Sequence, residues 1–333
     1  MAPALPHGDV TMTRLALVGD IGGTNARFAL AELDTPSPRV GEVMGLKVAE
    51  FPRATDAIAA FLAARGMDSR PAVAVIAVAG PVQDGAIDFT NSDWLLSEGD
   101  LVALGCGRAR LINDYAALAL AAPRLAGADL RTIGPQVASQ AGGTIAVLGP
   151  GTGFGVSALV RDSRGEAVLS TEGGHIGFAP TDEVEIELLR RLSARHGRVS
   201  IERILSGSGL DELHETLVAM DGRDPVPVAP ARITAAALAG DPAALRSVER
   251  FCAILGSVAG DFALAYGASG GVLVAGGIAP RIIDILEASA FRTRFEAKGR
   301  FRDYLAAVPT QVIVRPHAAL LGAARAAVDL AAG

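Results

Sequence analysis

One glycine-rich pattern occurs twice in this chain, and it limits the possible folds more than any other feature. The first copy is Ala16-Leu-Val-Gly-Asp-Ile-Gly-Gly-Thr-Asn-Ala-Arg-Phe-Ala-Leu30 and the second is Ala146-Val-Leu-Gly-Pro-Gly-Thr-Gly-Phe-Gly-Val-Ser-Ala-Leu-Val160. Each is a short apolar run, a Gly/Thr turn and a second apolar run, which predicts a β-hairpin with a nearly bare backbone tip. Such a tip suits an anion, because main-chain N–H groups can approach it without an intervening Cβ, and Thr24 and Thr152 add hydroxyl donors. Two such tips predict a polyphosphate held between two halves.

With 333 residues, two domains are expected rather than one. Half the residues are apolar and 20% are charged, the balance of a globular chain. No apolar run approaches the roughly 18 to 20 residues of a membrane span; Met1 to Met12 lack a signal-peptide pattern, and residues 1–13 are expected to be a flexible tail. Cys106 and Cys252 are too few for a disulfide framework or a zinc cluster and are expected as buried small hydrophobes, so a cytoplasmic location is expected. The net charge of −6, without a basic stripe, argues against nucleic acid as a partner.

Lys47 and Lys298 are the only lysines, and neither follows a glycine loop as GxxxxGK[ST] requires, so a P-loop is excluded. The dinucleotide fingerprint fails too, since Gly149 to Gly155 never gives GxGxxG and leads into a strand where a helix is needed.

Between and after the hairpins the patterns predict helices at Ala57–Arg65, Ser97–Leu104 and Tyr115–Ala122, the last opened by Asp114. They also predict a strand at Ala72–Val78 and a buried strand at Arg110–Ile112. The second half is expected to hold a helix from Glu183 to His196 with an Asp182/Glu185 capping box and a Gly197 stop. Helical segments are expected at Arg203, Leu210–Met220, Ile233–Leu238, Pro242–Tyr266 and Ala318–Ala332, with a strand and glycine turn at Gly271–Pro280. Each half thus opens on a hairpin and continues in alternating strands and helices, a duplicated α/β plan with the ligand site expected in the cleft between the halves.

Several residues carry candidate chemistry. Asp114 either caps the helix that follows it or faces the site as a general base. Glu172 and His175 flank two glycines, a tight loop suited to the hydroxyls of a neutral ligand; a metal would need a third ligand that is not evident nearby. Glu202 has the least local support, since after Ser200 it could simply favour a helix N-terminus. Asp20 lies amid phosphate-binding backbone, where a carboxylate implies an intervening Mg²⁺, held through water, or else an Asx turn. Gly276 and Gly277 follow an apolar strand and could serve packing alone.

The dispersed motifs Gly19-Asp-Ile-Gly-Gly-Thr-Asn25, Ile112-Asn-Asp-Tyr115, Gly149-Pro-Gly-Thr-Gly-Phe-Gly155, Glu172-Gly-Gly-His175, Glu202-Arg-Ile-Leu-Ser-Gly207 and Val274-Ala-Gly-Gly-Ile278 together resemble the bacterial glucokinase family, in the group without the zinc motif of repressor-type sugar kinases. The resemblance runs from about Leu15 nearly to the C-terminus. It implies an actin-like ATPase fold of the ribonuclease H-like type. The expected division is a small α/β domain of residues 14–122 plus 316–333 and a large one of residues 123–315.

The resemblance further implies phosphorylation of glucose by ATP to glucose 6-phosphate at the head of glycolysis, in a homodimer that uses Mg²⁺. It makes Asp114 the catalytic base and assigns Asn113, Asp114, Glu172, His175, Glu202 and, with less weight, Asn91 to the sugar. It assigns Gly19, Asp20, Ile21, Gly22, Gly23, Thr24, Asn25, Gly151, Thr152, Gly153, Gly276 and Gly277 to ATP, with Asp20 toward the metal. The alternatives are a kinase of mannose, fructose or an N-acetylhexosamine, a sugar-sensing regulator, and a filament-forming ATPase. About a dozen residues precede the first hairpin, short of the DNA-binding segment expected of the regulator.

Overall fold

The computed structural model describes residues 14–34, 38–66, 70–89 and 92–333. They form two units: one runs to Ala117 and takes in Ala319–Gly333, and the other is Leu118–Ala318.

The first unit begins with the predicted hairpin, β1 (Leu15–Ile21) and β2 (Asn25–Glu32), paired antiparallel from Leu15 opposite Glu32 to Ile21 opposite Ala26. The short strands β3 (Arg39–Val40) and β4 (Met44–Lys47) both pair with β2. Helix α1 (Ala54–Ala64) starts three residues before its expected position. Strand β5 (Val73–Val78) lies parallel to β1 and is buried at every position, as a central strand covered on both faces must be.

A small ladder of β6 (Ala86–Asp88) and β7 (Leu95–Ser97) leads into α2 (Glu98–Ala103), opened by a capping box between Ser97 and Asp100. Strand β8 (Arg108–Asn113) extends the sheet parallel to β5 and runs into α3 (Asp114–Ala121). The pattern Arg110–Ile112 predicts a buried strand. Only Leu111 is buried, because β8 lies at the sheet edge in the order β3-β2-β1-β5-β8.

The C-terminal helix Ala318–Ala332 belongs to this unit from Ala319 onward. Arg14 and Arg108 donate to the carbonyls of Ala331 (3.0 Å) and Leu330 (2.7 Å), which satisfies part of its open C-terminal turn.

The second unit repeats the plan around a sheet of order β12-β11-β10-β13-β14-β9. Strands β9 (Leu130–Thr132), β10 (Ile145–Pro150), β11 (Phe154–Asp162) and β12 (Gly165–Thr171) come first, and β10 to β12 form an antiparallel meander. Helix α4 (Glu183–His196) matches its expected bounds, but only half of the capping box forms. Asp182 accepts the Glu185 N–H, while the Glu185 carboxylate accepts from Thr181, Arg250 and Arg294. A fully buried carboxylate takes the strongest donors within reach.

Helices α5 (Gly207–Met220), α6 (Pro230–Leu238) and α7 (Pro242–Tyr266) follow. Strand β13 (Gly271–Val274) then pairs parallel with β10, as β5 does with β1. After α8 (Ile283–Ala288), α9 (Phe291–Glu296) and α10 (Arg302–Ala306), strand β14 (Thr310–Ile313) closes the parallel set. No helix of the described residues is long and apolar enough to cross a membrane.

The core of this unit forms around α7, whose ends follow simple rules. Asp241 caps its start, Pro242 occupies the first turn and Gly267 ends it at φ 60°. Gly256 and Gly260, one turn apart, let α9 lie against its backbone. A β-carbon at these positions would stand 2.1 Å from the Phe291 carbonyl and 2.5 Å from that of Phe295.

Candidate active site

In the first unit the site residues sit at the β1–β2 turn. Gly22 N–H donates to Asn25 O at 3.0 Å and closes it. That donor is therefore engaged within the hairpin, and Gly23 and Thr24 form the outer tip, where Thr24 is exposed. Gly19 is a packing glycine, since a β-carbon there would meet the Ile76 side chain at 2.7 Å and the Phe28 ring at 2.9 Å. Ile21 is fully buried in the core, so it can meet a ligand only through its main chain.

Asp20 faces Arg27, its cross-strand partner, with Oδ2 3.6 Å from the guanidinium. Asn25 Oδ1 accepts a hydrogen bond from Lys47 Nζ at 2.8 Å, because β4 pairs with β2 at that register. A cavity of about 340 Å³ beside the tip is lined by Gly23, Thr24, Val48, Phe51, Ser92 and Trp94 among others. Asn91 lies outside the described residues.

Asp114 opens α3 at the end of β8, but the cap of that helix is Asn113 and not Asp114. Asn113 Oδ1 accepts the N–H groups of Tyr115 (2.9 Å) and Ala116 (3.2 Å), while its Nδ2 donates to Gly80 O (3.3 Å). Asp114 also takes the Tyr115 N–H at 2.9 Å, and its side chain is half-buried. Asn113 keeps one amide hydrogen for another partner.

In the second unit the β10–β11 tip is closed by Gly151 N–H to Gly153 O at 2.8 Å, the counterpart of the Gly22 bond. Thr152 stands exposed at its apex. Behind the tip, Gly149 allows contact with the segment after β13: a β-carbon would come within 2.1 Å of Ala275 O. Ala275 N–H donates to Leu148 O at 2.8 Å and Ile278 N–H to Pro150 O at 3.3 Å. Gly276 adopts φ +85°, which favours glycine, and Gly277 is open, since a β-carbon there would meet nothing within 4 Å.

The Glu-Gly-Gly-His loop folds as one short 3₁₀ turn, Gly173–His175, with His175 N–H returning to Glu172 O at 3.0 Å. Gly173 and Gly174 are buried beneath it and the side chains of Glu172 and His175 are exposed above. A β-carbon on Gly174 would stand 2.1 Å from Phe154 O, so the loop lies directly against the second hairpin.

Residues 199–202 run alongside this loop. Phe178 N–H bonds Val199 O (3.1 Å), Ile201 N–H bonds Ile176 O (3.0 Å) and Glu202 N–H bonds Gly174 O (2.9 Å). Neither the helix expected at Arg203 nor the reading of Glu202 as a helix-start residue holds: the segment is a turn, and the Glu202 carboxylate accepts the Phe154 N–H at 2.8 Å. Its other oxygen is 3.9 Å from His175 Nδ1. Glu172, His175 and Glu202 therefore lie beside Gly151–Gly153 within one unit.

Three neighbours carry no signal that singles them out in the sequence pattern read above. Arg27 and Lys47 arrive by cross-strand pairing, and Arg198 donates to His175 O at 2.7 Å. Alternation along β2 could have signalled Arg27, since Asp20 and Arg27 are equidistant from the turn. Nothing local points to the other two. Among the described residues no group of three or more His, Cys, Asp or Glu side chains could by itself hold a metal ion.

A family model described as Glucokinase matches residues 17–330. A glucokinase of Caulobacter sp. (strain K31) is 56% identical over 311 residues, 93% of this chain and 94% of the relative. A glucokinase of Caulobacter vibrioides (strain NA1000 / CB15N) is 53% identical over 313 residues, again covering 93% and 94%. The crystal structure of glucokinase from an Antarctic psychrotroph superposes with a TM-score of 0.84 at 36% identity, covering 95% of this chain and 99% of that one.

Proposed function

The chain belongs to the glucokinase family and phosphorylates glucose with ATP on an actin-like ATPase fold, and from that premise we propose which of its residues do what. The observation that carries the assignment is the gathering of Glu172, His175 and Glu202 against the tip of the second glycine hairpin. Acceptors and a donor suited to sugar hydroxyls thus stand beside backbone suited to phosphate.

Asp114 is the general base. The reaction is an in-line displacement: the 6-hydroxyl oxygen of glucose bonds the γ-phosphorus, the bond to the bridging oxygen of ADP breaks, and the hydroxyl proton passes to the Asp114 carboxylate. Asn113 holds α3 in place with its carbonyl and offers its remaining amide hydrogen to the sugar. Glu172, His175 and Glu202 bind the other hydroxyls, with Arg198 fixing the loop through His175 O. Asn91 belongs to the same proposal.

Gly22, Gly23, Thr24 and Asn25 face phosphate at the first tip, and Gly151, Thr152 and Gly153 at the second. Since the N–H groups of Gly22 and Gly151 close their own turns, the remaining tip amides and the threonine hydroxyls are the donors. Gly19 and Ile21 act by shaping the backbone, and Gly276 and Gly277 give the nucleoside an open glycine surface.

The carboxylate of Asp20, set amid phosphate-facing backbone, fits Mg²⁺ held through water. Asp20 would be the residue that holds the ion, through water, with its carboxylate beside Arg27. When bound, the ion neutralises charge on the β- and γ-phosphates. The same proposal places the enzyme in the cytoplasm as a homodimer, with domain limits at 14–122 plus 316–333 and 123–315.

Initial rates with MgATP against glucose, mannose, fructose and N-acetylglucosamine test the sugar assignment. Glucose is expected to give the highest kcat/KM, and a higher value for any other sugar would overturn it.

A further inference from the structure

Glu202 is fixed from two sides. Its main-chain N–H is bonded to Gly174 O in the Glu-Gly-Gly-His loop, while its carboxylate Oε2 accepts the N–H of Phe154, the first residue of β11. Its Oε1 lies 3.9 Å from His175 Nδ1, and the side chain is one-third exposed.

Gly153 supplies a third observation on the same carboxylate. A β-carbon there would stand 2.3 Å from Glu202 Oε2, with no backbone atom among its three nearest neighbours. The glycine at the hairpin tip is therefore the space that the Glu202 carboxylate fills. Gly151, two residues away, has no such relation, its nearest neighbour being Gly153 O at 4.0 Å.

We infer that Glu202 is a two-sided positioning residue that couples glucose binding to the conformation of the second glycine hairpin, and so to nucleotide binding. The inference rests on the proposed sugar role of Glu172, His175 and Glu202 and on the proposed phosphate role of Gly151–Gly153. A sugar hydroxyl donating to Oε1 fixes the side-chain torsions, which holds Oε2 on the Phe154 N–H and the hairpin in one shape. A nucleotide that orders the hairpin first holds the same carboxylate ready for the sugar. Each ligand then meets a site whose ordering cost the other has already met, and linkage makes the effect equal in both directions.

Titration calorimetry with glucose and with the magnesium complex of AMPPNP, separately and together, tests this. In the unsubstituted enzyme each ligand is expected to tighten the other by about fivefold or more, the lower end of ordinary coupling between sites. Gly153→Ala is expected to displace the Glu202 carboxylate and weaken glucose by about fivefold or more with no nucleotide present.

The reciprocal arm does not require glucose to bind. Glu202→Ala is expected to weaken AMPPNP in the absence of sugar, while His175→Ala, on the same loop but without the bond to Phe154, leaves it unchanged. Thermal melts establish that each variant is folded, and if Gly153→Ala is not, the Glu202→Ala and His175→Ala pair decides.

Equal nucleotide affinity with and without glucose overturns the coupling, as does unaltered AMPPNP affinity in Glu202→Ala. Unaltered glucose affinity in Glu202→Ala is a different result, which instead removes Glu202 from the sugar site.

Discussion

Gly322 of the C-terminal helix lies directly on Ala117 of α3: a β-carbon at Gly322 would stand 1.7 Å from the Ala117 carbonyl oxygen. The contact is between two backbones, and no rotamer change relieves it. It joins the end of the chain to the helix whose first residue is Asp114.

Gly322→Ala is therefore expected to destabilise the protein, although alanine is the better helix former by up to about 1 kcal/mol. Forcing the helices apart costs about 1–3 kcal/mol, as overpacking does elsewhere. Calorimetric melting should show a lower Tm than the unsubstituted protein, and an equal or higher one would show that the helices separate freely.

Asp114→Asn separates base chemistry from structure. Asparagine keeps the size of the side chain and an oxygen for the Tyr115 N–H, and the helix cap is Asn113. The melting temperature should stay within a few degrees, glucose should still bind, and kcat should fall by about 10² to 10⁴. A coupled assay giving near-normal kcat would remove Asp114 from the chemistry.

Both hairpins, the helix Pro242–Tyr266, and the loop glycines at 173–174 are legible because each is written in contiguous residues. The bond from Phe154 to Glu202 spans 48 residues, and that from Arg198 to His175 spans 23, so no local pattern announces either. Capping misleads at two places, once locally and once through tertiary contacts. Asn113 precedes Asp114, and both can cap; Glu185 has the right spacing from Asp182, but Arg250 and Arg294 arrive from distant helices and take its carboxylate. Gly19, inside a phosphate-like motif, also answers to Phe28 across the hairpin and to Ile76, and the second constraint exists only once β5 lies beside β1.

Cys252 and Cys106 should be unreactive in the folded protein. Burial pushes the Cys252 thiol up to about 12, against a weaker opposing hydrogen bond with Ser289, and burial raises Cys106 as well. Counting thiols with a colorimetric disulfide reagent at about pH 8 should give almost none in the native protein and two after unfolding in guanidinium. Rapid native labelling of either would contradict this packing.

Asp182 should make stability depend on pH in the acid range. Burial raises its pKa, but the Glu185 N–H, the Arg250 hydrogen bond, and the charges of Arg250 and Arg294 outweigh that and hold it below the ordinary 3.8. A folded pKa below the unfolded one means that the unfolded chain takes up protons first, so the stabilisation is complete above about pH 3.8 and is lost as pH falls through the lower folded value. Asparagine caps a helix about as well as aspartate, so Asp182→Asn removes the charge and leaves the cap to the Glu185 N–H. Urea midpoints of the two proteins should differ by a constant amount from neutral pH down to about pH 5 and converge below about pH 3.8. A difference that stays flat through that range would mean that Asp182 acts only as a cap and that its pairing with Arg250 and Arg294 adds nothing.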